Sequence, residues 1–185
     1  MARAMLATSA MPRTKHALPR GGVLALVALV AATASACSSY RISEPRAEVL
    51  HPFAPIPQDF ARVCVIRTSR LAQAVPFPTL DNGALVGATK GPTFFCYKAE
   101  PGEHTLRIQA DEPTFVTLQA EGGHSYYLHE TIPFSFVMHC NATWVSEPKA
   151  RELVDDSSYE VLTSTPATEH PPDPIPYARA ASASR

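Results

Sequence analysis

Between residue 61 and about residue 160, turn-forming residues cut the chain into apolar segments too short for helices, and this rhythm restricts the fold more than any other feature. Asp81-Asn82-Gly83, Pro101-Gly102, Asp111-Glu112-Pro113 and Gly122-Gly123 interrupt the chain. Turn signals recurring about every 8–12 residues are the pattern of a sandwich or small barrel. The segments between them predict six to eight strands by rough count. Val63-Cys64-Val65-Ile66 is a continuous apolar run, as expected of a central strand buried on both faces. Asn82-Gly83 between Thr79-Leu80 and Ala84–Val86 predicts a hairpin, because the tight turn needs two positive-φ residues. His104, Leu106 and Ile108 alternate with polar neighbours, as do Val116 and Leu118.

After Pro133 the same alternation puts Phe134, Phe136, Met138 and Cys140 on one face of a predicted strand. One short helix follows, with Ser146 as N-cap, Pro148 in its first turn and Ala150, Leu153 and Val154 as its apolar residues. The expected fold is all-β, a small antiparallel β-sandwich with one short C-terminal helix, over residues 61–160. Residues 37–60 carry Pro45, Pro52, Pro55 and Pro57 without a period and read as a Pro-rich tether. Residues 161–185 are expected to be a disordered Pro-rich tail, because Pro166, Pro171, Pro172, Pro174 and Pro176 leave little apolar surface to bury.

The first 36 residues hold four basic residues and no acid, with an apolar stretch centred on Val23–Ala34. That is the layout of a secretory signal peptide, and the stretch is short for a spanning helix. It ends Ala34-Ser35-Ala36-Cys37, which resembles the lipobox of bacterial lipoproteins, although Ala34 stands where that motif usually has Leu. The resemblance implies that residues 1–36 are removed and that Cys37 carries lipid. Ala34-Ser35-Ala36 also satisfies the A-x-A cleavage rule, so release of a soluble secreted protein is the alternative. Ser38 after Cys37, rather than Asp, resembles the pattern of lipoproteins sent to the outer membrane. From Cys37 onward 12 Lys and Arg stand against 17 Asp and Glu, a net of −5, so the mature chain has no footprint for nucleic acid and no polybasic stripe.

Four cysteines occur, and lipid on Cys37 leaves three, enough for one intrachain disulfide. Without that lipid two bridges are possible, in three connectivities. Cys64 and Cys96 lie on predicted core strands and are the candidate pair; burial of all three as small apolar residues is the competing reading. His124, His129 and His139 fall in or beside neighbouring strands, with Cys140 next to the last, and imidazole and thiolate are zinc ligands. Their spacing fits no recognised metal pattern, and His129-Glu130 does not open H-E-x-x-H, since Thr131-Ile132-Pro133 follows. No nucleophile elbow or P-loop order is present, so no catalytic residue, metal or cofactor is assigned and the chain is not expected to be an enzyme.

Four stretches together resemble the bacterial lipoprotein family catalogued as domain of unknown function 2846. They are Ala61-Arg62-Val63-Cys64-Val65-Ile66-Arg67, the Asp81-Asn82-Gly83 hairpin, Pro101-Gly102-Glu103-His104 and Gly123-His124-Ser125-Tyr126-Tyr127. The resemblance covers roughly residues 61–160 and implies a small envelope β-sandwich; it supplies no catalytic residue. Cys64 stands where that family commonly has an aromatic. The expectation is an envelope-anchored lipoprotein that binds or scaffolds an envelope protein, peptide or glycan, held to the membrane through Cys37. The alternative is a soluble secreted or metal-dependent periplasmic enzyme using His124, His129 and His139.

Overall fold

A computed structural model describes residues 40–45, 49–166, 172–173 and 175–181. The leader at residues 1–36 and the lipid site Cys37 lie outside the described residues. Twelve strands and one helix follow in order among those described. The first sheet is built on β2 (Ala61–Arg67), flanked by β5 (Thr93–Ala99) and β8 (Ser125–Thr131), with β9 (Asn141–Val145) outside β8. The second sheet runs β4 (Ala84–Thr89), β3 (Phe77–Asp81), β6 (Gly102–Ile108), β7 (Thr114–Ala120). The chain alternates between the two sheets in hairpins, and the sandwich core lies between them.

The β2 strand shows why a continuous apolar run is central. Its odd residues Ala61, Val63 and Val65 face the second sheet and share a core with Phe77, Leu106 and Ile108 of that sheet and with Phe95 and Tyr97 of β5. Its even residues Cys64 and Ile66 face outward, under the helix α1 (Glu147–Asp155), where Ala150 and Leu153 cover them with Phe94 and Tyr127. A strand buried on both faces has no position for an exposed polar residue, and all seven residues of β2 are buried. The hairpin forms where expected: Asn82 (φ 47°) and Gly83 (φ 85°) supply the turn between β3 and β4. On β4, Gly87 lies against the Phe95 ring, and a Cβ there would come within 2.4 Å of it. Only a glycine lets the two sheets approach at this point.

The expected all-β sandwich with one short helix forms, and two details differ. The sheets are mixed rather than purely antiparallel, because β8 pairs with β2 in parallel. A parallel neighbour needs a long crossover, and here the whole second sheet provides it. The chain from 132 to 140 is a loop rather than a strand, and Phe134 and Phe136 stand exposed instead of sharing a face with the buried Cys140. Alternation in the sequence could not reveal that β9 finds a partner in β8 only from Asn141 onward.

The flanking segments are also incorporated. From the 37–60 region, β1 (Arg41–Ser43) pairs with β11 (Val161–Ser164), and Pro52 and Phe60 are buried. From the region expected to be a disordered tail, β11 takes part in that pair, and β12 (Tyr177–Ala178) lies parallel to β5. Just ahead of β11, β10 (Ser158–Tyr159) occupies the same β5 edge. The physical reason is the open edge of β5, whose Lys98 and Glu100 amides donate to the Pro176 and Ala178 carbonyls. Prolines cannot donate to a ladder, but their carbonyls accept.

Candidate functional site

Two arginines that the sequence places in an apolar strand organise the surface around it. Arg62 is buried beneath residues 49–54, and its Nη1 donates to the Pro52 carbonyl at 2.6 Å, while its Nη2 donates to the Ala54 carbonyl. Tyr127 Oη donates to the same Pro52 carbonyl at 2.9 Å. A non-periodic, proline-containing stretch is thus fastened across the outer face of the first sheet. Phe53 packs on Tyr127 with ring centroids 5.6 Å apart, and the Arg151 guanidinium of α1 sits 4.1 Å from the Phe53 centroid. On the other side Phe94 and Tyr159 meet edge to face at 4.9 Å. The Tyr159 hydroxyl accepts from the Cys96 amide and donates to the Cys96 carbonyl.

Between these supports lies a cleft of about 560 Å³. Val49, Pro52, Phe53, Phe94, Val154 and Tyr159 give it apolar walls, and His51 and Asp155 supply its ionisable groups. This size and character match a site for a small molecule or an inserted side chain. Cys64 and Cys96 are joined in a disulfide across directly opposed positions of β2 and β5, in the apolar cluster that also contains Phe53 and Tyr159.

The three histidines are not brought together. His124 is exposed in the turn before β8, with Nδ1 3.1 Å from the Gly122 carbonyl. His129 is half-buried on β8 with Nε2 3.2 Å from Thr68 Oγ1, and His139 lies in the 132–140 loop, 3.1 Å from the Val137 carbonyl. Among the described residues no group of three His, Cys, Asp or Glu is placed to hold a metal. Cys140 is a buried free thiol, pushed up to about 11 by burial and by the nearby Glu130 carboxylate. A thiol held protonated in this way is a poor nucleophile and a poor ligand at neutral pH.

Two buried polar clusters escaped the sequence reading. Asp81, Tyr97 and His104 form one inside the sandwich, all without solvent exposure. Tyr97 Oη donates to Asp81 at 2.8 Å, His104 Nδ1 lies 2.9 Å from the same carboxylate, and His104 Nε2 lies 2.7 Å from the Glu100 carbonyl. Acceptors at both ring nitrogens demand a doubly protonated imidazolium. Burial opposes that charge, but Asp81 and the Glu100 carbonyl outweigh it and hold His104 above its ordinary value. Enclosed in the core, this Asp–His pair meets no solvent. Its role is to join the β3–β4 turn to β5 and β6.

The second cluster holds Arg67 and Glu130, at opposed register positions of β2 and β8, each hydrogen-bonded to other groups. Arg67 donates to the carbonyls of Leu71, Ala72 and Val75, and its guanidinium lies 4.6 Å from the Phe77 centroid. Burial raises Glu130 to about 7, against the pull of the Thr89 hydroxyl, which donates at 2.6 Å, and of Arg67. The sequence shows His129-Glu130 only as a dipeptide that does not open a metal motif, whereas the carboxylate turns inward to Thr89, 41 residues away in sequence, which no local pattern reports.

No family model, curated protein or solved structure matches the chain. No helix among the described residues is long and apolar enough to cross a membrane.

Proposed function

We propose that this chain is an envelope lipoprotein whose β-sandwich is a binding or scaffolding module, exported by residues 1–36 and held to the membrane by lipid on Cys37. The cleft beside residues 49–54 is its ligand site. That cleft carries the reading: it is apolar and large enough for an inserted group. The walls select an aliphatic or aromatic group, such as a side chain of an envelope protein or peptide, and Asp155 favours a cationic group beside it. The basic, acid-free leader and the Ala34–Cys37 junction support the export and anchoring steps.

Asp155 is exposed in the cleft wall, so Asp155→Arg fills the site with a long cationic chain and spares the core. Crosslinking of the anchored protein in intact envelopes is expected to capture a neighbour that Asp155→Arg loses while thermal unfolding stays unchanged; identical captures would reject the cleft. Anchoring has its own test. Intact mass of the cell-derived protein is expected to show acyl chains and loss of residues 1–36, both absent in Cys37→Ser. An unacylated wild type beginning at Cys37 would replace the lipoprotein with a soluble secreted protein.

A further inference from the structure

The exposed apolar side chains are not scattered. Among the described residues the large ones are Leu71, Val75, Phe115, Phe134, Phe136, Val137 and Tyr177. All but Tyr177 lie at one end of the sandwich, the end reached by β2 and its parallel partner β8 at their C-termini and left by the antiparallel β5 and β9 at their N-termini. The loops after β2, β6 and β8 converge there. At its tip are Phe134 and Phe136, 92% and 106% exposed, as open to water as in an unfolded peptide.

These two rings are held out rather than loosely placed. The Glu112 amide donates to the Met138 carbonyl, the Met138 amide donates to Asp111, and Thr114 Oγ1 donates to the Cys140 carbonyl, so the loop is tied at its base to the β6–β7 connection. Residues 131–140 contain no Asp, Glu, Lys or Arg. The exposed charges nearby are Arg70 and Lys90 against Asp111 and Glu112. Asp155 and Asp156 at the end of α1, where Ser157 and Ser158 bond to Arg67 and Pro92, add a further negative excess. A docking site for a folded protein is ordinarily an apolar centre within a hydrogen-bonding rim. Here the most exposed element is itself without charge, two open rings on a loop that carries no Asp, Glu, Lys or Arg. That is the chemistry of insertion into the headgroup–acyl boundary, which needs apolar area and no desolvated charge. With no excess of positive charge at this end and a mature chain of net −5, an anionic surface offers no attraction, so the matching lipid is zwitterionic.

We propose that the 132–138 loop is a membrane-contact element, in which Phe134 and Phe136 insert into a zwitterionic lipid surface independently of any lipid on Cys37. The test reads the loop itself, so it does not depend on how the rest of the chain reaches the membrane. The protein has a single tryptophan, Trp144, on β9. Phe136→Trp therefore adds one reporter to a known baseline, at a position whose exposure leaves folding untouched. The full chain is mixed with phosphatidylcholine vesicles, with and without brominated acyl chains. The introduced indole is expected to shift to shorter wavelength and to lose emission to the brominated chains, beyond the change of the wild type. Phe134→Ser in the same reporter chain is expected to reduce that quenching several-fold. An indole that keeps its aqueous emission while the vesicles carry the protein overturns the proposal. So does a response seen only with anionic lipid, or only when envelope proteins are added. Acylation of Cys37, read by mass, can succeed or fail separately.

Discussion

Glu130 is the residue at which burial has the largest consequence for behaviour in solution. Its folded-state value of about 7 stands above the ordinary 4.5, so the native state holds the proton more tightly than the unfolded chain. Its contribution is therefore complete below pH 4.5 and is lost as pH rises through 7. His104, raised by Asp81, acts with the same sign, its contribution present below its ordinary 6.5 and lost as pH rises through its folded value. The expected result is a denaturant midpoint that falls between pH 5 and pH 8, with Glu130 accounting for a loss of about 3 kcal/mol. Glu130→Gln, which keeps the shape and an acceptor for Thr89, is expected to flatten most of that slope; an unchanged profile would remove Glu130 as its cause. Neither group was identifiable from its neighbours in the chain. His104 alternates with Leu106 and Ile108, which marks it as inward-facing, but its carboxylate partner sits in the β3–β4 turn, where Asp81 reads as an ordinary turn residue. Arg67 likewise reads as the end of an apolar run, whereas its long side chain satisfies three carbonyls of the following loop.

At the scale of elements, local pattern was legible where one strand or turn is sufficient to determine it. Val63–Ile66 announces burial on both faces, Asn82-Gly83 announces its turn, and Ser146, Pro148, Ala150 and Leu153 announce the helix. Cys64 and Cys96 could be nominated because both fall on core strands; their direct opposition depends on the β2–β5 register, in which Val63 faces Tyr97 and Val65 faces Phe95. The disulfide spans 32 residues and closes the whole β3–β4 excursion. Reduction in unfolding experiments is expected to cost on the order of 3–4 kcal/mol, from release of loop-closure entropy in the unfolded chain. Equal midpoints with and without reductant would show that the bond contributes nothing. The 132–140 loop marks the opposite case. Its alternating aromatics imitate a strand, but a strand exists only where a neighbour accepts its ladder, and β8 pairs with β9 only at residues 127–131.

At the scale of the described residues, parts of the segments that flank 61–160 pack on it, among them residues 49–60, 161–164 and 175–178. Residues 49–54 cover the outer face of the first sheet and wall the cleft, and the C-terminal strand caps the β5 edge. Ending the chain after residue 166 removes β12 and the acceptors for the Lys98 and Glu100 amides. This truncation is expected to lower stability by about 1–3 kcal/mol in urea denaturation while the β-rich circular dichroism persists; full stability would return residues 175–181 to the status of a loose tail. The sequence by itself determined the strand-and-turn rhythm, the central strand, the hairpin and the helix, because each follows from periodicity or from the backbone preferences of a few adjacent residues. Tertiary structure alone decided the parallel β2–β8 pairing, the docking of proline-rich segments, the buried Asp81–His104 and Thr89–Glu130 pairs, and the cleft. Each of these depends on groups far apart in the chain, whose desolvation is tolerable only when a partner arrives from elsewhere in the fold.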